Sequence, residues 1–118
     1  MRASLLVLLL VPGAWASAAE ENARRQVEFG LKVAQKGLWQ EAHFRFERAV
    51  QLEPGNASAL NDLAVSLEQM GEFGEARKAY EKALGLKPGD IYIQQNYDLF
   101  READDKRNRK AKKKKAQP

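Results

Sequence analysis

Cysteine is absent from the 118 residues, and histidine occurs once, at His43. Without a thiol there is no disulfide framework, thiolate metal site or cysteine nucleophile, and one imidazole cannot build a His-rich metal site within a chain. No apolar run approaches the ~20 residues that span a bilayer as a helix. The glycines stand singly at turn positions rather than in a phosphate-cradling loop, so no cofactor motif is present. For His43 neither a nucleophile motif nor a carboxylate partner is apparent from spacing, and it reads as a helix residue rather than a general base. These absences argue against an enzyme.

What is present is charge and repetition. Asp, Glu, Lys and Arg make up 31% of the chain, and Ala, Leu, Glu and Lys are frequent, a mixture that suits helices better than sheets. Residues 37–54 are written again, 34 positions later, as residues 71–88. Gly37 matches Gly71, Glu41 and Ala42 match Glu75 and Ala76, and Phe46 and Glu47 match Tyr80 and Glu81. Ala49, Leu52, Pro54 and Gly55 return as Ala83, Leu86, Pro88 and Gly89. A fixed period of this size is the mark of stacked repeats. Small Ala, an aromatic four residues on, a second Ala and then Pro, at this period, resembles the tetratricopeptide repeat. The resemblance implies an all-α solenoid of two antiparallel hairpins, residues 23–56 and 57–90, followed by a capping helix over residues 91–105. Gly30, Ala42, Ala64 and Ala76 would let paired helices approach closely, and Leu60, Leu63 and Leu67 would fill the layers between them. Phe29 and Val33 would do so in the first hairpin, where Gln26 departs from the large residue of the pattern.

Taken in order, residues 1–18 read as a signal peptide. Arg2 is followed by the apolar run of residues 5–11, a Pro12-Gly13 break, and a small-x-small site at Ala16-Ser17-Ala18. Export follows as an expectation, and the short leader, absent cysteines and simple array favour a bacterial periplasm over a eukaryotic secretory lumen. Helices are predicted over residues 20–35, 39–52, 57–69 and 73–86, with Gly37 and Gly71 closing two of them and Asn56 and Asp90 capping the next. Asn56-Ala57-Ser58 is also a glycosylation sequon, for which the cap is the preferred reading. Asp98 and Arg101 stand where a further hairpin would dock, so residues 91–105 end the stack.

Residues 106–118 carry eight cations, Lys106, Arg107, Arg109, Lys110, Lys112, Lys113, Lys114 and Lys115. Like-charge repulsion predicts a disordered or loosely helical tail. Of the net +4, this tail and Arg2 supply nine positive charges, which leaves residues 19–105 at −5. The basic character belongs to the tail alone.

The resemblance implies a non-enzymatic adaptor whose inner helices form a groove for a peptide or amphipathic helix of another protein, and the leader adds the expectation that it acts outside the cytoplasm. Position by position, that groove would show Arg24, Val27, Leu31, Gln35, Ser58, Asn61, Val65, Glu68 and Gln69, extended by Tyr92, Gln95, Leu99 and Glu102. The basic clamp of the chaperone-binding subclass is missing, because Val27, Leu31, Asp62, Tyr92 and Asn96 occupy its places. Two hairpins and a cap fall below the ~3 repeats of a comfortable core, which leaves room for self-association. An alternative expectation puts function in the tail, on an anionic membrane surface. Nucleic acid ranks behind it, since no aromatic interleaves the basic run.

Overall fold

The computed structural model describes residues 17–118, so all but the last two residues of the leader read from the sequence lie outside it. Five helices follow one another: α1 (Ala18–Gln35), α2 (Trp39–Leu52), α3 (Ala57–Gln69), α4 (Phe73–Leu86) and α5 (Ile91–Ala116). α1 pairs with α2 and α3 with α4 as hairpins, α2 and α3 join the two pairs, and α5 packs on α4 and α3. No strand occurs among the described residues.

The turns explain why the hairpins have this shape. Gly37 and Gly71 adopt φ of +75° and +80°, a left-handed conformation that costs glycine nothing. Each closes its helix with the same pair of hydrogen bonds. Gly37 N–H donates to the Ala34 carbonyl (2.9 Å) and Leu38 N–H to Val33 (3.0 Å). Gly71 N–H donates to Glu68 (3.0 Å) and Glu72 N–H to Leu67 (2.9 Å), which completes the same Schellman closure. The connections between hairpins also repeat. Asn56 Oδ1 accepts from Ala59 N–H at 3.0 Å, and Asp90 Oδ1 accepts from Ile93 N–H at 3.1 Å. Asn56 is therefore a cap, worth about 1 kcal/mol to α3.

Small residues let the helices meet. Ala23, Ala42, Ala49, Ala59, Ala64, Ala76 and Ala83 have no accessible surface. Around them lie the large side chains Phe46, Leu60, Tyr80, Ile93 and Phe100. Phe46 lies against Gly30 so closely that a Cβ added there would stand 2.5 Å from its Cε1. Leu63 bridges the two hairpins, packing against both the Phe46 and the Tyr80 clusters. Phe29, its counterpart in the first hairpin, is 45% exposed, with the Arg45 guanidinium 4.3 Å above its ring. The expected filler role is not realised, because no described element stacks on that side of α1.

The last helix differs from expectation. In place of a cap ending near residue 105 and a separate disordered or loosely helical tail, α5 is one helix of 26 residues. Its first half does the predicted work, since Ile93 and Phe100 are buried and the Phe100 ring lies 5.3 Å from that of Tyr80. Asp98 and Arg101 stay exposed on the outer face. Beyond it, Asp104 pins the helix to the stack by accepting from Arg77 of α4 (2.7 Å) and from Arg107 (3.2 Å). The Arg107 guanidinium rests 3.6 Å over the Phe73 ring. The two cations hold the Asp104 carboxyl below the usual carboxylate range, Arg77 contributing most. Past Arg107, residues with strong helix propensity extend the helix, and cations near its C-terminal end complement its dipole.

The glycines supply a test of close approach. Gly30→Ala forces the Phe46 ring to move, and its expected effect is a loss of about 1–2 kcal/mol despite the better helix propensity of alanine. Gly85→Ala, at a site with nothing within 4 Å, should gain up to about 1 kcal/mol. Urea unfolding of both variants measures the contrast, and equal effects would remove the steric account.

Candidate functional site

α1 and α3 lie side by side on the inner face, and the space between them is divided in two. One cleft of about 240 Å³ is lined by Leu31, Ala34, Gln35, Trp39, Phe46, Asp62 and Val65. A second, of about 500 Å³, lies toward the start of α1 and is lined by Glu20, Glu21, Arg24, Val27, Glu53, Asn56, Ser58 and Ala59. The structure thus gathers Leu31, Gln35 and Val65 from the predicted groove into the first cleft, and Arg24, Val27 and Ser58 into the second.

The other predicted groove residues separate. Asn61 accepts from Asn96 Nδ2 at 3.1 Å and so ties α3 to α5. Glu68 accepts the Tyr80 hydroxyl at 3.0 Å, which uses it inside the fold. Burial and the nearby Glu68 charge push the Tyr80 phenol far above its ordinary range, so it stays neutral and donates. Gln69, Tyr92, Gln95, Leu99 and Glu102 are exposed, and none of them lines either cleft. Leu99 and Tyr92 stand 68% and 80% exposed, an apolar margin on α5 rather than part of an enclosed groove.

The 240 Å³ cleft contains a residue absent from the predicted groove. Asp62 lies half-buried in a wall otherwise made of Leu31, Ala34, Trp39, Phe46, Val65 and the neutral Gln35. Among the described residues it takes part in no ion pair. Burial raises its carboxyl to about 6, partly offset by the Asn61 side chain. The signal was present in the sequence, since Asp62 stands three residues before Val65 on the same helix and so shares its face. Trp39 and Phe46, which follow the turn at Gly37 on α2, also line this cleft.

Among the basic residues, Arg107 is not free, being held on Phe73 and Asp104. Lys106, Arg109, Lys110, Lys112, Lys113, Lys114 and Lys115 are exposed. His43 lies 3.9 Å from Glu47, a partner one turn on that the spacing allowed, but too distant for a hydrogen bond. The repeating carboxylates behave as solvated faces, with Glu41 receiving Arg45 at 3.0 Å and Glu75 receiving Lys78 at 3.3 Å.

A family model described as a tetratricopeptide repeat matches residues 34–95, just over half of the chain. The match runs from the last turn of α1 to the first turn of α5 and so takes in α2, α3 and α4 whole. No curated protein matches the chain.

Asp62 has a measurable consequence for stability. The native carboxyl takes its proton near pH 6, whereas the ordinary value is 3.8, so the folded state binds the proton more readily. The group's contribution to stability is therefore largest when protonated, falls as pH rises from about 4 to 6, and stays lost above that. Asp62→Asn should raise stability by on the order of 2 kcal/mol at pH 7 and change it little near pH 3.5. Urea unfolding at the two pH values checks this, and a pH-independent difference would contradict it.

Proposed function

Because the chain belongs to the tetratricopeptide-repeat family, whose members in general mediate contacts between proteins, we propose that it is a non-enzymatic adaptor. The 240 Å³ cleft between α1 and α3 receives an apolar side chain from a helix or extended segment of a partner protein. The observation that carries this reading is the cleft's lining. Leu31 of α1 is 44% exposed there, beside Ala34, Trp39, Phe46 and Val65, and only Gln35 and Asp62 interrupt the apolar lining. Covering one such anchor is worth about 1.5–3 kcal/mol, enough to select a partner though not to hold it alone. Leu99 and Tyr92, exposed on α5 outside the cleft, offer further apolar contact area to a partner. The leader pattern of residues 1–18 supports action outside the cytoplasm, after export.

The partner is testable through Leu31, whose exposure makes it replaceable without loss of the fold. A protein captured reproducibly from an envelope extract by the wild-type chain should be lost with Leu31→Glu, while the helical circular dichroism of the variant is unchanged. Capture that is equal for the two would end the cleft reading.

A second reading, independent of the cleft, uses the seven exposed cations along the end of α5. Held on one helix, they favour an anionic membrane surface at about 1 kcal/mol per cation near the lipid. A truncation after Arg107 keeps the Asp104 and Phe73 contacts and removes six of the seven. Sedimentation with vesicles containing anionic lipid should fall at least tenfold in the truncated chain at low salt. Retained binding would exclude the tail.

A further inference from the structure

We propose that the cleft between α1 and α3 selects partner segments carrying a lysine or arginine beside an apolar anchor, the cation seated on the Asp62 carboxylate. The proposal rests on the cleft reading above and names the chemistry that the cleft prefers. Its basis is a mismatch within the cleft: a carboxylate lies in a largely apolar wall and, among the described residues, forms no ion pair.

Among the described residues, the side chains that α1 and α2 bring to the cleft are neutral. α1 contributes Leu31, Ala34 and Gln35 to the cleft, and α2 contributes Trp39 and Phe46. From α4 the group that feels Asp62 is the Tyr80 phenol, neutral and engaged with Glu68. From α5, Asn96 reaches only the neighbouring Asn61. The nearby charge on α3 itself is Glu68, of the same sign. The folded region of residues 19–105 carries −5, so a cationic segment is drawn to it and an anionic one repelled.

A long cationic side chain fits both features of the cleft at once. The methylene stem of lysine or arginine lies along apolar surface while its head reaches a polar group. Here the stem would cover Leu31 and Val65, with the guanidinium or ammonium at Asp62. An uncharged donor would leave the negative charge uncompensated, and a second carboxylate would add to it. Neutral apolar side chains would fill the space while burying Asp62 further, at a cost that protonation only partly relieves. The chain's own residues 106–118 offer cations but no large apolar anchor, so another protein suits the cleft better than a second copy does.

The probe is a displayed library of random 12-residue peptides, panned at pH 7 on the full chain and on Asp62→Asn. Wild type should enrich Lys or Arg adjacent to an apolar residue, and Asp62→Asn should retain apolar enrichment without the cation. For a selected peptide, affinity should fall about tenfold from pH 7 to pH 5 in the wild type, as the fraction of ionised Asp62 falls, and stay flat in the variant. Peptides that depend on Leu31 but show no cation preference would overturn this proposal and leave the adaptor reading standing. Recovery of no Leu31-dependent peptide would overturn both. A peptide of residues 106–118 binding as tightly as the selected ones would overturn the apolar-anchor requirement and the choice of partner with it.

Discussion

The contact between Gly30 and Phe46 sets the spacing on which the first hairpin depends. The Phe46 ring of α2 lies only 2.5 Å, at its Cε1, from where a Cβ on residue 30 would stand, so this close approach to α1 needs a glycine. In the second hairpin Ala64 stands at the matching place, in one cluster with Tyr80 and Phe100. With the hairpin spacing set in this way, Leu63 can serve both clusters and join the two repeats into one stack. Interiors of this density do not tolerate a change of one methylene without a response, which is why the small positions carry so much of the fold.

The two ends of the stack are finished by different chemistry. At the first, Arg45 lies over Phe29 and reaches Gln26 and Glu41, so a cation and its partners meet an apolar ring that no described helix covers. At the second, the cover is α5, whose buried stripe ends in a carboxylate shared by two arginines. Asp104 is buried there, and its pairing with Arg77 of α4 fixes the place of α5 on the stack. The exposed basic end of that helix then projects from a folded region of opposite net charge.

The inner face is shaped by what those contacts leave over. Gly37 turns the chain so that Trp39 and Phe46 reach beneath Leu31, and α3 presents Val65 and Asp62 opposite them. Glu68 and Asn61, on the same helix, are drawn into hydrogen bonds with α4 and α5 and are no longer free to meet a partner. The consequence is a compact cleft with one unpaired charge rather than a long uniform groove.

Local chemistry made much of the fold legible in the sequence. Gly37 and Gly71 close helices because glycine alone enters the left-handed region without strain, and Asn56 and Asp90 start helices because their side chains satisfy a free amide three residues on. Those residues act on neighbours a few positions away, so their effect is readable from spacing, as is the period of 34 that pairs the hairpins. The tertiary structure decided which faces meet. Periodicity says that Asp62 shares a side of α3 with Val65, but its isolation depends on Leu31 and Trp39 arriving from two other helices without a cation. It likewise places Arg107 in a basic run, whereas only the packing of α5 on α4 brings it onto Phe73. Distances across helices are set by the side chains at their crossings, and that information is distributed over the whole stack rather than held in any one segment.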